Sequence, residues 1–220
     1  SIKSNFFQKF NKYKYLRALD GKLISESIPD IVHNTFFYEG IRSADAKTFI
    51  TVFDMNYEIM PQYSRFSRIK SEFKRRACRD ADEIIAISQS TKNDLIEKFK
   101  VPESKVHVVH LGVSPDFLAR DHILETTGES SRYEDYVLYV GKRGGYKNFK
   151  MLLDAFRRNK SLSKNFQLIA FGGGDFTKDE KKLFRQLKIE DNKILHFEGN
   201  DLALNYFYKH AKIFIYPSLY

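Results

Sequence analysis

Short apolar runs rich in Val, Ile, Phe and Tyr recur along this chain, with helical patterns between them. That alternation constrains the fold most, because strands joined by helices pair in parallel and bury both faces of their sheet. The runs predict strands near Ile31–Phe36, Thr48–Phe53, Glu83–Ile87, Lys105–His110, Tyr136–Val140, Gln167–Phe171, Lys193–Phe197 and Lys212–Tyr216. Helices are expected over Thr91–Lys100, Phe149–Asn159, Asp179–Lys188 and Leu202–His210. In the second of these, Phe149, Leu152, Leu153 and Phe156 share one face at helical spacing. Asn148 stands just before it, at the N-cap position. The polar stretch Ser114 to Asp135 has no period and carries the turn formers TTGESS. It predicts a unit over 1–114, a linker over 115–135 and a second unit over 136–220.

With 42% hydrophobic residues, 20 Phe and 13 Tyr, each half has material for a core. No apolar run reaches the roughly 18 residues of a membrane-spanning helix. Cys78 is the only cysteine, which rules out an intrachain disulfide and fits a reducing, cytoplasmic setting. The net charge of +9 favours anionic partners such as phosphorylated substrates, nucleic acid or an acidic membrane face.

The segment YVGKRGGYKNF places Lys142, Arg143 and Lys147 where a strand gives way to a helix. A helix start already carries partial positive charge, so added cations there suit a bound anion. The segment is not a P-loop, since no Ser or Thr follows its lysine, and FGGGDFT has Thr177 where a dinucleotide fingerprint ends in glycine. Two successive strands of the second half thus end in ligand-permissive turns, one basic and one glycine-rich. Arg143 is suited to a bidentate phosphate clamp and Lys147 to a point charge. By spacing alone a solvated surface turn fits equally well.

The run YVLYVGKRGGYKNFKMLLDAF resembles the G-x-R-x-x-x-K-N segment of retaining glycosyltransferases of family 4, which have the GT-B fold. Further segments match in the family's order: PDIVHNTFFY, TVFDMNYEIMPQ, RDADEIIAISQSTKNDL, VHVVHLGVSPDF, LIAFGGG and AKIFIYPSLY. The likeness runs from Pro29 to Tyr220. It implies an α/β chain of two Rossmann-like domains of the GT-B type, each incomplete here. It also implies transfer of a hexose, such as mannose, from a GDP- or UDP-sugar to a glycan or lipid-linked acceptor. The donor diphosphate would meet Arg143 and Lys147, with Lys142 a competing match. Gly141, Gly172, Gly173 and Phe197 would lie near the nucleotide. No cofactor or metal is expected, and no His/Cys/Asp cluster stands at ligand spacing.

The sequence departs from the family pattern in two ways. Phe53 stands where relatives often carry His before the aspartate of the H-D-M turn, which leaves His33 and Asp54 as catalytic candidates. Each also has a structural reading, His33 as a hydrogen-bonded strand-end histidine and Asp54 as a turn anchor. The sequence also stops at PSLY, before the family's glutamate-bearing loop, so this stretch alone is expected to be inactive.

RFSRIKSEFKRRACRD, Arg65 to Asp80, carries seven basic residues and places Phe66, Ile69, Phe73 and Ala77 near one face. It reads either as a core-packed helix with a solvated outer face or as a peripheral contact with the anionic inner face of a membrane. Rival readings are a nucleotide-binding oxidoreductase, which lacks its glycine fingerprint, and a nucleic-acid-binding module, for which no motif is found. No nucleic-acid partner is therefore expected.

Overall fold

In the computed structural model the described residues are 22, 29–37, 45–114 and 135–220. The chain divides into two compact units, Ser1–Leu111 and Gly112–Tyr220. The expected linker over 115–135 lies outside the described residues, Asp135 apart.

The first unit carries a parallel sheet of β1 (Ile31–Asn34), β2 (Lys47–Val52), β3 (Glu83–Ala86) and β4 (Val106–Val108), in that order across the sheet. Ile50 pairs with Ile84 and Val52 with Ala86, and all four are buried. Between β2 and β3 run the short helix α1 (Asn56–Ile59) and the longer α2 (Ser67–Asp80). After β3, α3 (Gln89–Asp94) is capped by the Ser88 hydroxyl and runs into a π turn over Leu95–Phe99. The π turn ends in left-handed Lys100.

Helix α2 forms where the sequence predicts it, and of the expected apolar face Ala77 is buried and Phe73 half-buried. Its buried residues are Ser67, Lys74, Ala77 and Cys78, while Phe66 and Ile69 face solvent. Lys74 shares the inward face with Ala77 and Cys78 because it bonds buried Glu58 at 2.9 Å. Burial pushes the Cys78 thiol up to about 12, against the opposing charges of Lys74 and Lys105, so this cysteine is a packing group.

The second unit carries β5 (Tyr136–Val140), β6 (Gln167–Phe171), β7 (Ile194–Phe197) and β8 (Ile213–Phe214), ordered β7-β6-β5-β8 and all parallel. Val137, Tyr139, Leu168 and Ala170 face Phe149, Leu152, Leu153 and Phe156 of α4 (Phe149–Arg158) and Phe184 of α6 (Lys178–Gln186). Tyr136, Leu138, Ile169 and Phe171 face Phe207 of α7 (Asp201–His210) on the other side. Burial on both faces explains why these strands read as continuous apolar runs. A further helix, α5 (Lys160–Asn165), was not legible in the sequence and is capped by the Asn159 side chain.

Asn148 does not cap α4 with its side chain. It adopts a left-handed φ of 59°, and its amide donates to Pro217 O at 3.3 Å instead. The chain order places β5 at the reversal point: β6 and β7 extend from one side of it and β8 lies on the other. Ligands of open α/β sheets bind outside the carboxyl ends of strands at such a point.

Candidate functional site

The basic turn leaves the carboxyl end of β5 and the glycine turn leaves that of β6. Gly141 N donates to Phe171 O at 2.8 Å and Gly172 N to Phe197 O at 2.7 Å, which laces three strand ends together. Gly172, Gly173 and Gly174 have φ of 76°, 81° and 77°. Three successive residues in the left-handed region are tolerated because none has a Cβ. A Cβ on Gly173 would also stand 2.6 Å from Gly141 O and 3.1 Å from Arg143 Nη1. The structure thus brings together Gly141, Arg143, Gly172 and Gly173. Phe197 reaches this point through its backbone carbonyl, and its ring packs 4.8 Å from Phe207.

Arg143 is turned into the protein, with 3% of its side chain exposed. Nε donates to Glu180 Oε1 at 2.7 Å, Nη1 to Gly172 O at 2.8 Å, and Nη2 to Gly174 O at 2.6 Å and Asp175 O at 3.1 Å. Its face lies over the Phe176 ring at 4.8 Å. Glu180 belongs to a capping box with Thr177 at the start of α6. Burial tends to raise its carboxyl, but the bonds from Arg143 and Thr177 and the guanidinium charge hold it below the ordinary value.

Lys142 is exposed, and its carbonyl accepts a 2.5 Å bond from the Tyr139 hydroxyl. Burial and the neighbouring Tyr216 push that hydroxyl up to about 12, so it remains a donor. Lys147 donates to the Tyr216 hydroxyl and lies over the rings of Tyr146 and Tyr216 at 4.9 and 4.6 Å. The segment after β8 closes on the same turn, with Leu219 N bonded to Tyr146 O at 2.9 Å. The lysine pair therefore stands at the reversal point between β5 and β8.

In the first unit, exposed His33 bonds Thr51 Oγ1 at 2.8 Å across β1 and β2. Asp54 Oδ1 accepts from Asn56 N at 3.1 Å and its carbonyl accepts from Lys74 Nζ at 2.8 Å. These bonds anchor the turn after β2.

Sequence reading had missed Glu180, Glu198, Tyr216 and Lys74. Glu180 had a readable signal, the T-x-x-E capping pattern of TKDE. Glu198, which accepts from Gly174 N at 2.8 Å, had none, and Lys74 was hidden among seven basic residues. Among the described residues, no group of His, Cys, Asp and Glu is arranged to hold a metal ion.

Two parallel Rossmann-like sheets, the second with a basic turn at its reversal point and a glycine turn on the neighbouring strand, have the architecture of GT-B glycosyltransferases. Residues 3–117 match Glycosyltransferase Family 4 and residues 127–220 match Glycosyl transferases group 1, so the chain belongs to this glycosyltransferase family. An uncharacterized glycosyltransferase of Methanocaldococcus jannaschii is 26% identical over 146 residues, covering 63% of this chain and 37% of that protein. Digalactosyldiacylglycerol synthase 1 of Arabidopsis thaliana is 29% identical over 141 residues, covering 63% of this chain and 16% of its own length. The chain thus matches well under half of these relatives. Among solved structures, sucrose-phosphate synthase of Thermosynechococcus elongatus superposes with a TM-score of 0.71 at 14% identity, covering 93% of this chain and 54% of that one. WaaG, a glycosyltransferase involved in lipopolysaccharide biosynthesis, gives 0.68 at 16%, covering 92% and 57%. Anabaena HepE in complex with UDP-glucose gives 0.62 at 15%, covering 92% and 56%.

Proposed function

We propose that the second unit holds the diphosphate of a nucleotide sugar at the turn 141–148, and that the whole enzyme transfers its hexose with retention to a glycan or lipid-linked acceptor. The observation that carries this reading is the placement of Lys142 and Lys147 at the reversal point of the sheet. UDP- and GDP-hexoses, GDP-mannose among them, are the donors proposed. The UDP-glucose bound to HepE favours a uridine nucleotide. The names of digalactosyldiacylglycerol synthase and of WaaG favour a lipid-linked or polysaccharide acceptor. In the transfer, the bond from the sugar's anomeric carbon to the phosphate oxygen breaks and one to an acceptor hydroxyl oxygen forms. Negative charge builds on the departing diphosphate oxygen, which takes up the proton that the hydroxyl loses. Cations fixed beside that charge lower the barrier most where water is excluded. Gly141, Gly172, Gly173 and the Phe197 backbone would border the nucleotide. His33 and Asp54 are the acceptor-side candidates. The nucleotide sugar is substrate, and the proposal assigns no resident cofactor or metal.

The proposal places the enzyme in the cytoplasm, peripheral on an anionic membrane face through Arg65–Arg79. Phe66 and Ile69 are exposed on the same segment as exposed Arg68, Arg75, Arg76 and Arg79, and each basic residue near such a surface contributes about 1 kcal/mol. No described helix is long and apolar enough to cross a membrane. Calorimetry with UDP and GDP tests the donor site, with saturable binding expected and its absence for both nucleotides fatal to the reading. Co-sedimentation with phosphatidylglycerol vesicles tests the helix, and a charge-neutralised variant that sediments like its parent would remove the membrane from the proposal.

A further inference from the structure

The cation expected to clamp the diphosphate faces away from solvent, and its neighbour in sequence faces towards it. Of the five N–H groups of a guanidinium, those of Arg143 reach Glu180, Gly172, Gly174 and Asp175 and leave a single Nη1 hydrogen. Glu180 Oε2 also accepts from Thr177 N at 2.8 Å, so the carboxylate is fixed from its own helix start. We infer that Arg143 and Glu180 are a positioning pair: Glu180 aims the guanidinium, and the guanidinium holds the Gly172–Gly174 turn in its donor-binding shape without touching the diphosphate. The inference rests on the nucleotide-sugar reading of this unit.

The physical need for such a pair lies in the turn. Glycines at positive φ have as many other conformations open to them as any residue has. The three-glycine turn holds one shape only if its carbonyls and amides are tied. Glu198 and Phe197 tie the amides of Gly174 and Gly172, while the planar fork of Arg143 ties the carbonyls of Gly172, Gly174 and Asp175. Lysine offers no such fork. The pairing has an electrostatic consequence as well. With a carboxylate 2.7 Å away, Arg143 presents a dipole rather than a net charge to anything beyond the turn. The uncompensated charge falls to Lys142 and Lys147.

Hydrogen exchange of the ligand-free chain and UDP calorimetry, on Arg143→Lys, Glu180→Gln and Thr177→Ala, separate this role from direct phosphate binding. A positioning pair predicts that Arg143→Lys and Glu180→Gln each speed exchange in the stretch 172–175 by about tenfold. β5 and β6 should keep their protection, and UDP should bind about tenfold more weakly. Combining the two substitutions should cost little more than Arg143→Lys alone. Thr177→Ala, which removes the hydroxyl cap on Glu180 N but keeps the backbone bond from Thr177 N to the Glu180 carboxylate, should leave the stretch near its parent. A direct phosphate ligand predicts the opposite sign for Glu180→Gln, because losing the carboxylate frees the guanidinium and removes a negative charge near the diphosphate. Tighter UDP binding by Glu180→Gln, or unchanged exchange in both variants, overturns the inference, as does Thr177→Ala matching Glu180→Gln. Should the parent bind neither UDP nor GDP, the donor reading fails, and the exchange arm still decides whether the pair holds the turn.

Discussion

Lys74 Nζ of α2 lies 2.9 Å from Glu58 Oε2 of α1, with 0% and 5% of the two side chains exposed. The ammonium also donates to Asp54 O at 2.8 Å and is covered by the rings of Phe37 and Tyr57 at 4.9 and 5.0 Å. This ion pair ties α2 to the DMNYE turn that carries Asp54. Removing one partner strands a charge away from water, so Lys74→Met or Glu58→Gln should each destabilise the first unit by about 3–5 kcal/mol. Lys74→Met combined with Glu58→Gln should cost clearly less than the two single changes together. Urea unfolding of the four proteins measures this, and simple additivity would show that the two charges act independently.

Glu180 makes the stability of the second unit depend on pH. Because Arg143 and Thr177 hold its carboxyl below the ordinary value of 4.5, the folded state binds that proton less readily than the unfolded chain. The stabilisation is therefore complete above the unfolded value and is lost as pH falls through the lower, folded one. Glu180→Gln should melt below its parent near neutral pH, and the gap should close in acid below about pH 4. A gap that stays constant across thermal scans would mean that the carboxylate's charge contributes nothing.

How much of this was legible in the sequence follows from what each feature depends on. β5 and β6 were read to the residue because burial on both faces makes each an unbroken apolar run, which periodicity detects. The position of the basic and glycine turns was legible for the same reason, since they begin where those runs end. Side-chain direction was not. Lys142 and Arg143 are adjacent and both cationic, and their opposite orientations depend on Glu180, 37 residues beyond Arg143. The burial of Lys74 failed to show for a related reason. A lysine scores as a surface residue until its buried partner, Glu58, is known.

Two glycines of the site should answer alike in chemistry and oppositely in stability. Gly173→Ala forces a Cβ to within 2.6 Å of the Gly141 carbonyl at a φ of +81°, and the second unit should lose about 1–3 kcal/mol. Gly144 has φ −86° and open space around its would-be Cβ. Gly144→Ala should hold or slightly raise the melting temperature, because alanine narrows the unfolded ensemble. Thermal unfolding of the pair checks this, and equal losses would place Gly144 against a neighbour that the fold does not put there.

The lysines carry the remaining prediction. With Arg143 neutralised by Glu180, the charge open to a diphosphate at the β5–β8 reversal comes from Lys142 and Lys147. A hydrogen bond to a charged group is worth roughly 1.5–3 kcal/mol, so Lys142→Ala and Lys147→Ala should each weaken UDP binding about tenfold or more. Lys142 is exposed, so its loss should leave the melting temperature unchanged. Lys147 is stacked on Tyr146 and Tyr216, so its loss should also lower the melting temperature slightly, by an amount that Lys147→Met partly restores through packing. That variant regains stability without regaining affinity, which separates the charge from the stem. Calorimetry and thermal unfolding on the same samples decide it. UDP affinity that survives both alanine changes would move the diphosphate away from this turn.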